Sequence, residues 1–184
     1  MDPKQMIVIA LASILLAAII WMFARKQRTT RLRERFGPEY DFTVSERGSQ
    51  RAEAALLERE KRVGRLALRD LSAEESEGFQ VEWRTIQAHF VDDPGTAVGK
   101  AHLLVDRLVE ARGYPASDFE QRAADISVGH PRSVANYRTA YQIAENNRQG
   151  HAGTEDLRSA LLSYRSLFDE LLQEGLTVPR KEVA

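Results

Sequence analysis

Residues 6 to 24, MIVIALASILLAAIIWMFA, form an uncharged run of 19 residues, and the next twelve positions carry six basic side chains. No other feature constrains the fold as strongly. At 1.5 Å per residue, a helix of that length reaches about 30 Å, the thickness of a bilayer's hydrocarbon core. A cleaved secretory signal would place its basic residues before a shorter apolar core, whereas here they follow it. A buried core helix would be apolar on all sides inside a small domain. The run therefore predicts a transmembrane helix over 6–24, preceded by a tail over 1–5. Trp21 sits near its end, where an amphipathic ring suits the headgroup layer.

The flanks set an expected orientation. Lys4 and the α-amino group face Asp2 on one side, and Arg25, Lys26, Arg28, Arg31, Arg33 and Arg35 stand on the other. Positive charge stays on the cytoplasmic side, so the expected address is a single-pass cell-membrane protein with its N-terminus out and its C-terminal domain in the cytoplasm. The expected partners are the lipid bilayer through 6–24 and anionic lipid headgroups near those six residues. A membrane or cytoplasmic protein is a further candidate.

Charge is uneven along the chain. Residues 1 to 36 hold seven basic and two acidic residues, leaving 19 basic against 25 acidic for the remainder, a net of −6. A body of that sign repels phosphate backbones, which argues against nucleic acid as a partner. The absence of cysteine excludes disulfides, thiolate metal sites and cysteine nucleophiles.

Gly37-Pro38 stops the basic juxtamembrane helix of 25–36, because proline cannot continue the helix and glycine suits the residue after its end. From 37 to 71 the chain is highly charged, with Leu56, Val63 and Leu66 marking a narrow apolar stripe, and it reads as a helical stalk. The bundle domain is expected over 72–174. Ser72 and Glu75 form a capping box, followed by Phe79, Trp83, Ile86 and Phe90 on one face. Asp93-Pro94 opens a helix burying Ala97, Ala101, Leu104, Val105 and Leu108. A shorter helix carries Phe119, Ala123 and Ile126, and Val134, Tyr137, Tyr141 and Ala144 repeat at helical spacing. Thr154 is expected to cap a last helix with Leu157, Ala160, Leu161, Tyr164, Phe168, Leu171 and Leu172 on one stripe. Residues 175–184 read as a flexible tail. No window alternates with a period of two, so the fold class is all-α: a transmembrane helix, a charged stalk helix and a bundle of about four or five helices.

Several strings, LRERFGPEYD, FVDDP, RGYPASDFEQRAADISVGHP and YRTAY, resemble an uncharacterised group of bacterial proteins with an N-terminal membrane helix and a helical soluble domain. The likeness covers most of residues 31 to 141. It implies the anchored helical architecture and carries no activity, cofactor or catalytic residue with it.

Catalytic signatures are absent: GxGxxG, GxxxxGK[ST], HExxH and GxSxG do not occur, and GTAVG at 95–99 lacks the remainder of a phosphate loop. His89 with Asp93 and His102 with Asp106 stand at i, i+4 spacing, a pattern that could ligate zinc or manganese. Capping by Asp93, a position beside the apolar stripe for His89 and an exposed polar face holding His102 and Asp106 explain the same residues, so no catalytic, cofactor or metal residue is assigned and no cofactor is expected. His130 and His151 fall in turns. Tyr114-Pro115 with Glu120, Arg122 and Asp125 reads either as a recognition surface or as the plugged end of the bundle, with Arg122 neutralising nearby acids. The expected function is a membrane-anchored protein-interaction or scaffolding module, with a membrane-tethered enzyme using His and Asp residues around 89–106 as the alternative.

Overall fold

The structure, a computed structural model, describes the backbone of residues 3–177 and the side chains of residues 11–173. Among the described residues there are eight α-helices and no strand: α1 (Pro3–Phe36), α2 (Pro38–Arg47), α3 (Ser49–Val63), α4 (Ala73–His89), α5 (Pro94–Ala111), α6 (Phe119–Gly129), α7 (Ser133–Arg148) and α8 (Thr154–Thr177). The all-α class is therefore what the periodicities predict. The chain divides into two compact units, Met1–Leu56 and Leu57–Ala184, with the division inside α3.

In the first unit, α1 ends at Phe36 and turns back at Gly37, whose φ of 48° lies in the left-handed region that favours glycine. Pro38 then opens α2 with φ already set for a helix. The single stalk helix expected over 37–71 is instead two helices. Gly48, at φ 74°, ends α2 with its N–H on the Val44 carbonyl, a glycine stop inside SERGSQ that a purely apolar stripe does not reveal. Leu32, Phe36, Tyr40, Ala52 and Leu56 are buried. Among them lies a carboxylate, Glu53, which accepts hydrogen bonds from Thr29 Oγ1 at 2.6 Å and Tyr40 Oη at 3.4 Å and faces Arg28 Nε at 3.7 Å. A buried acid needs such partners, because without them its desolvation would cost several kcal/mol, roughly.

The second unit is a helical bundle centred on α5, which packs against α4, α7 and α8, while α6 packs on α7. Local chemistry sets the starts of α4, α5 and α6. Ser72 Oγ accepts the Glu75 N–H at 3.1 Å and the Glu75 carboxylate accepts the Ser72 N–H at 2.8 Å, completing the capping box. Asp93 caps α5 through the Thr96 N–H and Asp118 caps α6 through the Gln121 N–H. The last helix differs from expectation: Thr154 is its first residue, and the N–H of Gly153 before it is bound by the Asp156 carboxylate at 3.0 Å.

The predicted stripes meet in the core. Trp83 stacks on Phe168 with ring centroids 4.7 Å apart, and Leu104, Leu108, Tyr137, Tyr164 and Leu171 are fully buried around α5. Each of these side chains contributes about 1.5–3 kcal/mol by leaving water. The C-terminal part of α3 belongs to this unit: Val63 joins the core, and Arg62 reaches Asp125 on α6. Residues 64–72 leave the helix and pass over the end of α5, where the Arg69 N–H binds the Arg112 carbonyl at 3.0 Å.

Candidate functional site

The apolar run lies within α1, and its described side chains stand largely exposed. Leu11, Ile14, Leu15, Leu16, Ile20, Trp21, Met22 and Phe23 are 59–67% exposed, and at these positions they cover every face of the helix. Residues 6–10 of the run lie outside those whose side chains are described, and among the described residues no helix is long and apolar enough to cross a membrane. The basic residues after the run are not equivalent. Arg25 lies over the Trp21 ring at 5.5 Å, Arg28 faces Glu53, and Arg33 pairs with Asp41 at 3.0 Å while its guanidinium lies over Tyr40. Part of the basic charge is thus spent on holding α2 and α3 beside α1.

In the second unit, the His102–Asp106 pair on α5 stands at the junction of α5, α6, α7 and α8. Both side chains are only 18% exposed, so the expected open polar face is a half-buried one. The helices packed over it account for the difference. Asp106 pairs with Arg122 of α6, accepts from Tyr137 Oη of α7 at 3.1 Å, and faces His102 Nε2 at 3.6 Å. His102 packs edge-on to Tyr141 and tilted against Tyr164, and Phe119 stacks on Tyr141 with centroids 3.6 Å apart. Burial pulls the His102 pKa below its ordinary value, Asp106 opposing and Arg122 and Arg148 reinforcing it. Burial, aided by the Asp106 charge, pushes the Tyr137 hydroxyl well above the ordinary tyrosine value. His102 Nδ1 and Tyr164 Oη are buried with no hydrogen-bond partner among the described residues.

On the outer side of the α4–α5 pair runs a groove of about 620 Å³, lined by Val81, Thr85 and Ile86 of α4 and by Lys100, Leu103 and Arg107 of α5. Val81 is 47% and Leu103 61% exposed, large apolar side chains facing outward on helices whose other faces fill the core. Arg107 and Glu82 pair across the groove's rim. Asp106 lines the groove as well as serving the buried network, so the two features share one wall.

The other candidate residues separate. His89 ends α4, and Asp93 is taken up by Thr96, whose side-chain hydroxyl and then backbone N–H hold its carboxyl below the usual range. Among the described residues no three His, Cys, Asp or Glu side chains are grouped to hold a metal ion. Tyr114 is buried in the core, Glu120 pairs with Arg138 at 2.7 Å, Arg122 with Asp106, and Asp125 with Arg62. Of the two readings of RGYP and DFEQRAAD, these contacts fit the plugged end of the bundle, with Arg122 neutralising an acid. One cluster carries no local sequence signal: Glu170 of α8 receives Ser133 Oγ on one oxygen and faces His130 Nδ1 at 3.0 Å with the other. Serine, histidine and glutamate meet there with the carboxylate in the middle, an order that ties the start of α7 to α8 rather than activating the hydroxyl. Residues 37 and 40 apart in sequence share no periodicity that would announce them.

No protein-family model, curated protein or solved structure matches the chain.

Proposed function

We propose that the chain is a membrane-tethered interaction module, in which α1 inserts into the bilayer and the helical bundle is held at the cytoplasmic face to engage a protein partner. The observation that carries this reading is the uncovered apolar side chains of α1 immediately before the basic residues. Leaving eight large apolar side chains in water forgoes about 1.5–3 kcal/mol each, a strong drive toward lipid or partner. The whole 19-residue run of 6–24 has the length to span the hydrocarbon core, and the bias of basic charge puts the C-terminal side in the cytoplasm. Tethering raises the effective concentration of the bundle for other membrane-bound molecules.

The α4–α5 groove supports an interaction role over a catalytic one. It is an outward apolar surface on a filled core, while Asp106, the most enclosed acid near it, is already engaged by Arg122, Tyr137 and His102. The enzyme alternative around residues 89–106 draws less from the same geometry.

Reporter fusions after Ala184 test the proposal. A reporter active only in the cytoplasm should work on the natural sequence, and the chain should stay with membranes through alkaline carbonate. Neutralising the basic residues at 25–35 while adding lysines before Met6 should invert a fraction of the molecules. Activity of an export-dependent reporter alone would overturn the orientation, and release by carbonate would overturn the anchor.

A further inference from the structure

Between α1 and the first turns of α3 lies a cleft of about 550 Å³ lined by Trp21, Ala24, Arg25 and Arg28 on one side and Gln50, Glu53 and Ala54 on the other. We propose that this cleft binds the phosphodiester headgroup of an anionic membrane phospholipid, with Arg25 as its principal anchor. The inference rests on the membrane reading of α1.

Depth is the first argument. If the hydrocarbon core ends at Ala24, Arg25 and Arg28 stand about 1.5 and 6 Å beyond it along the helix axis. The headgroup layer is itself about 5–8 Å thick on each side, so both guanidinium groups fall within it. Trp21, about one helical turn below Arg25, is 64% exposed and offers its ring to the glycerol and upper acyl chain.

Charge is the second. Glu53 is the one acid among the cleft's described lining residues, and Thr29, Tyr40 and Arg28 already engage it. Arg25 has no carboxylate partner among the described residues; its guanidinium rests on the Trp21 ring and keeps its N–H donors available at the rim. The lining therefore carries Arg25 and Arg28 against one carboxylate, a net charge of +1, which matches the single negative charge of a phosphodiester. Arginine presents paired donors to phosphate oxygens, and the Gln50 side-chain amide supplies a further donor across the cleft. By contrast Lys26 and Arg31 line a different face of α1, with Ile19, Ile20 and Phe23 but no second helix opposite.

The test is native mass spectrometry of the full chain released from micelles holding equal amounts of phosphatidylglycerol and phosphatidylcholine. One phosphatidylglycerol per chain should be retained in preference to phosphatidylcholine. Arg25→Gln, which leaves the Arg28–Glu53 pair in place, should lower that retention about fivefold, whereas Lys26→Gln with Arg31→Gln should change it by less than about twofold despite removing more charge. Equal retention of the two lipids, no effect of Arg25→Gln, or a larger loss in the Lys26/Arg31 variant would overturn the site. Displacement of the lipid by millimolar glycerophosphate would make the ligand a free phosphate ester and overturn the lipid assignment. Carbonate extraction of membranes carrying the same chain separates the two layers: a chain that stays in the membrane yet does not retain phosphatidylglycerol refutes the headgroup site alone, and a chain that is extracted refutes the anchor with it.

Discussion

Arg62 donates from both Nε and Nη2 to a single oxygen of Asp125, at 2.8 and 2.6 Å, and Asp125 is only 1% exposed. Gln121 completes the shell of the carboxylate, at 3.0 Å. This contact binds the end of α3 to α6 across 63 residues of sequence. Asp125→Ala should lower unfolding stability by about 1–3 kcal/mol, below the range for fully buried pairs because Arg62, 41% exposed, can return to water. Urea denaturation checks it, and a fragment starting at residue 57 should outlast one starting at residue 72 for the same reason.

Gly113 follows α5 with φ 95°, and a Cβ there would lie 2.5 Å from the Ala67 carbonyl oxygen. Gly113→Ala meets both a left-handed backbone penalty and a contact with main chain that cannot rotate away. A loss of about 2–4 kcal/mol is expected, seen as a drop in thermal midpoint. An unchanged midpoint would mean that the 64–72 segment moves freely over α5.

Burial sets a pH dependence at His102. Its folded pKa lies below the ordinary 6.5, so the unfolded chain takes up the proton first as pH falls. The contribution to stability is full above pH 6.5 and is lost as the pH drops through 6.5 toward the folded value. Stability measured at descending pH should fall over this window in the natural chain and fall less in His102→Gln.

Tyr164 is fully buried, and its hydroxyl has no hydrogen-bond partner among the described residues. Removing an unsatisfied buried hydroxyl while keeping the ring should be neutral or stabilising, by up to about 1 kcal/mol in Tyr164→Phe. A loss of stability in chemical denaturation would show that the hydroxyl is engaged.

Leu103 is 61% exposed in the α4–α5 groove. Leu103→Gln should leave stability within about 0.5 kcal/mol, as exposed positions away from the core do. If the groove serves a partner, the same change should remove neighbours captured by proximity labelling of the membrane-tethered chain while the melt is unaltered.

What could be read from the sequence is what nearby residues decide among themselves. The spacing of Phe79, Trp83 and Ile86, of Ala97 to Leu108 and of Leu157 to Leu171 announced helices and their buried faces, and Ser72–Glu75 and Asp93-Pro94 announced two starts, because periodicity and capping act within a few residues. The apolar run and its basic border were equally plain. The stop at Gly48 was not legible in the same way, because the apolar stripe of Leu56, Val63 and Leu66 suggested one continuous helix through the charged stretch. The tertiary structure alone decided that His102 and Asp106 lie under Arg122 and Tyr137 rather than facing water, that Asp125 receives Arg62, that Glu170 joins Ser133 to His130, and that Gln50 and Glu53 stand opposite Arg25 and Arg28. Each of these depends on which helix faces meet, a choice made by packing over the whole unit, and no spacing along one helix records it.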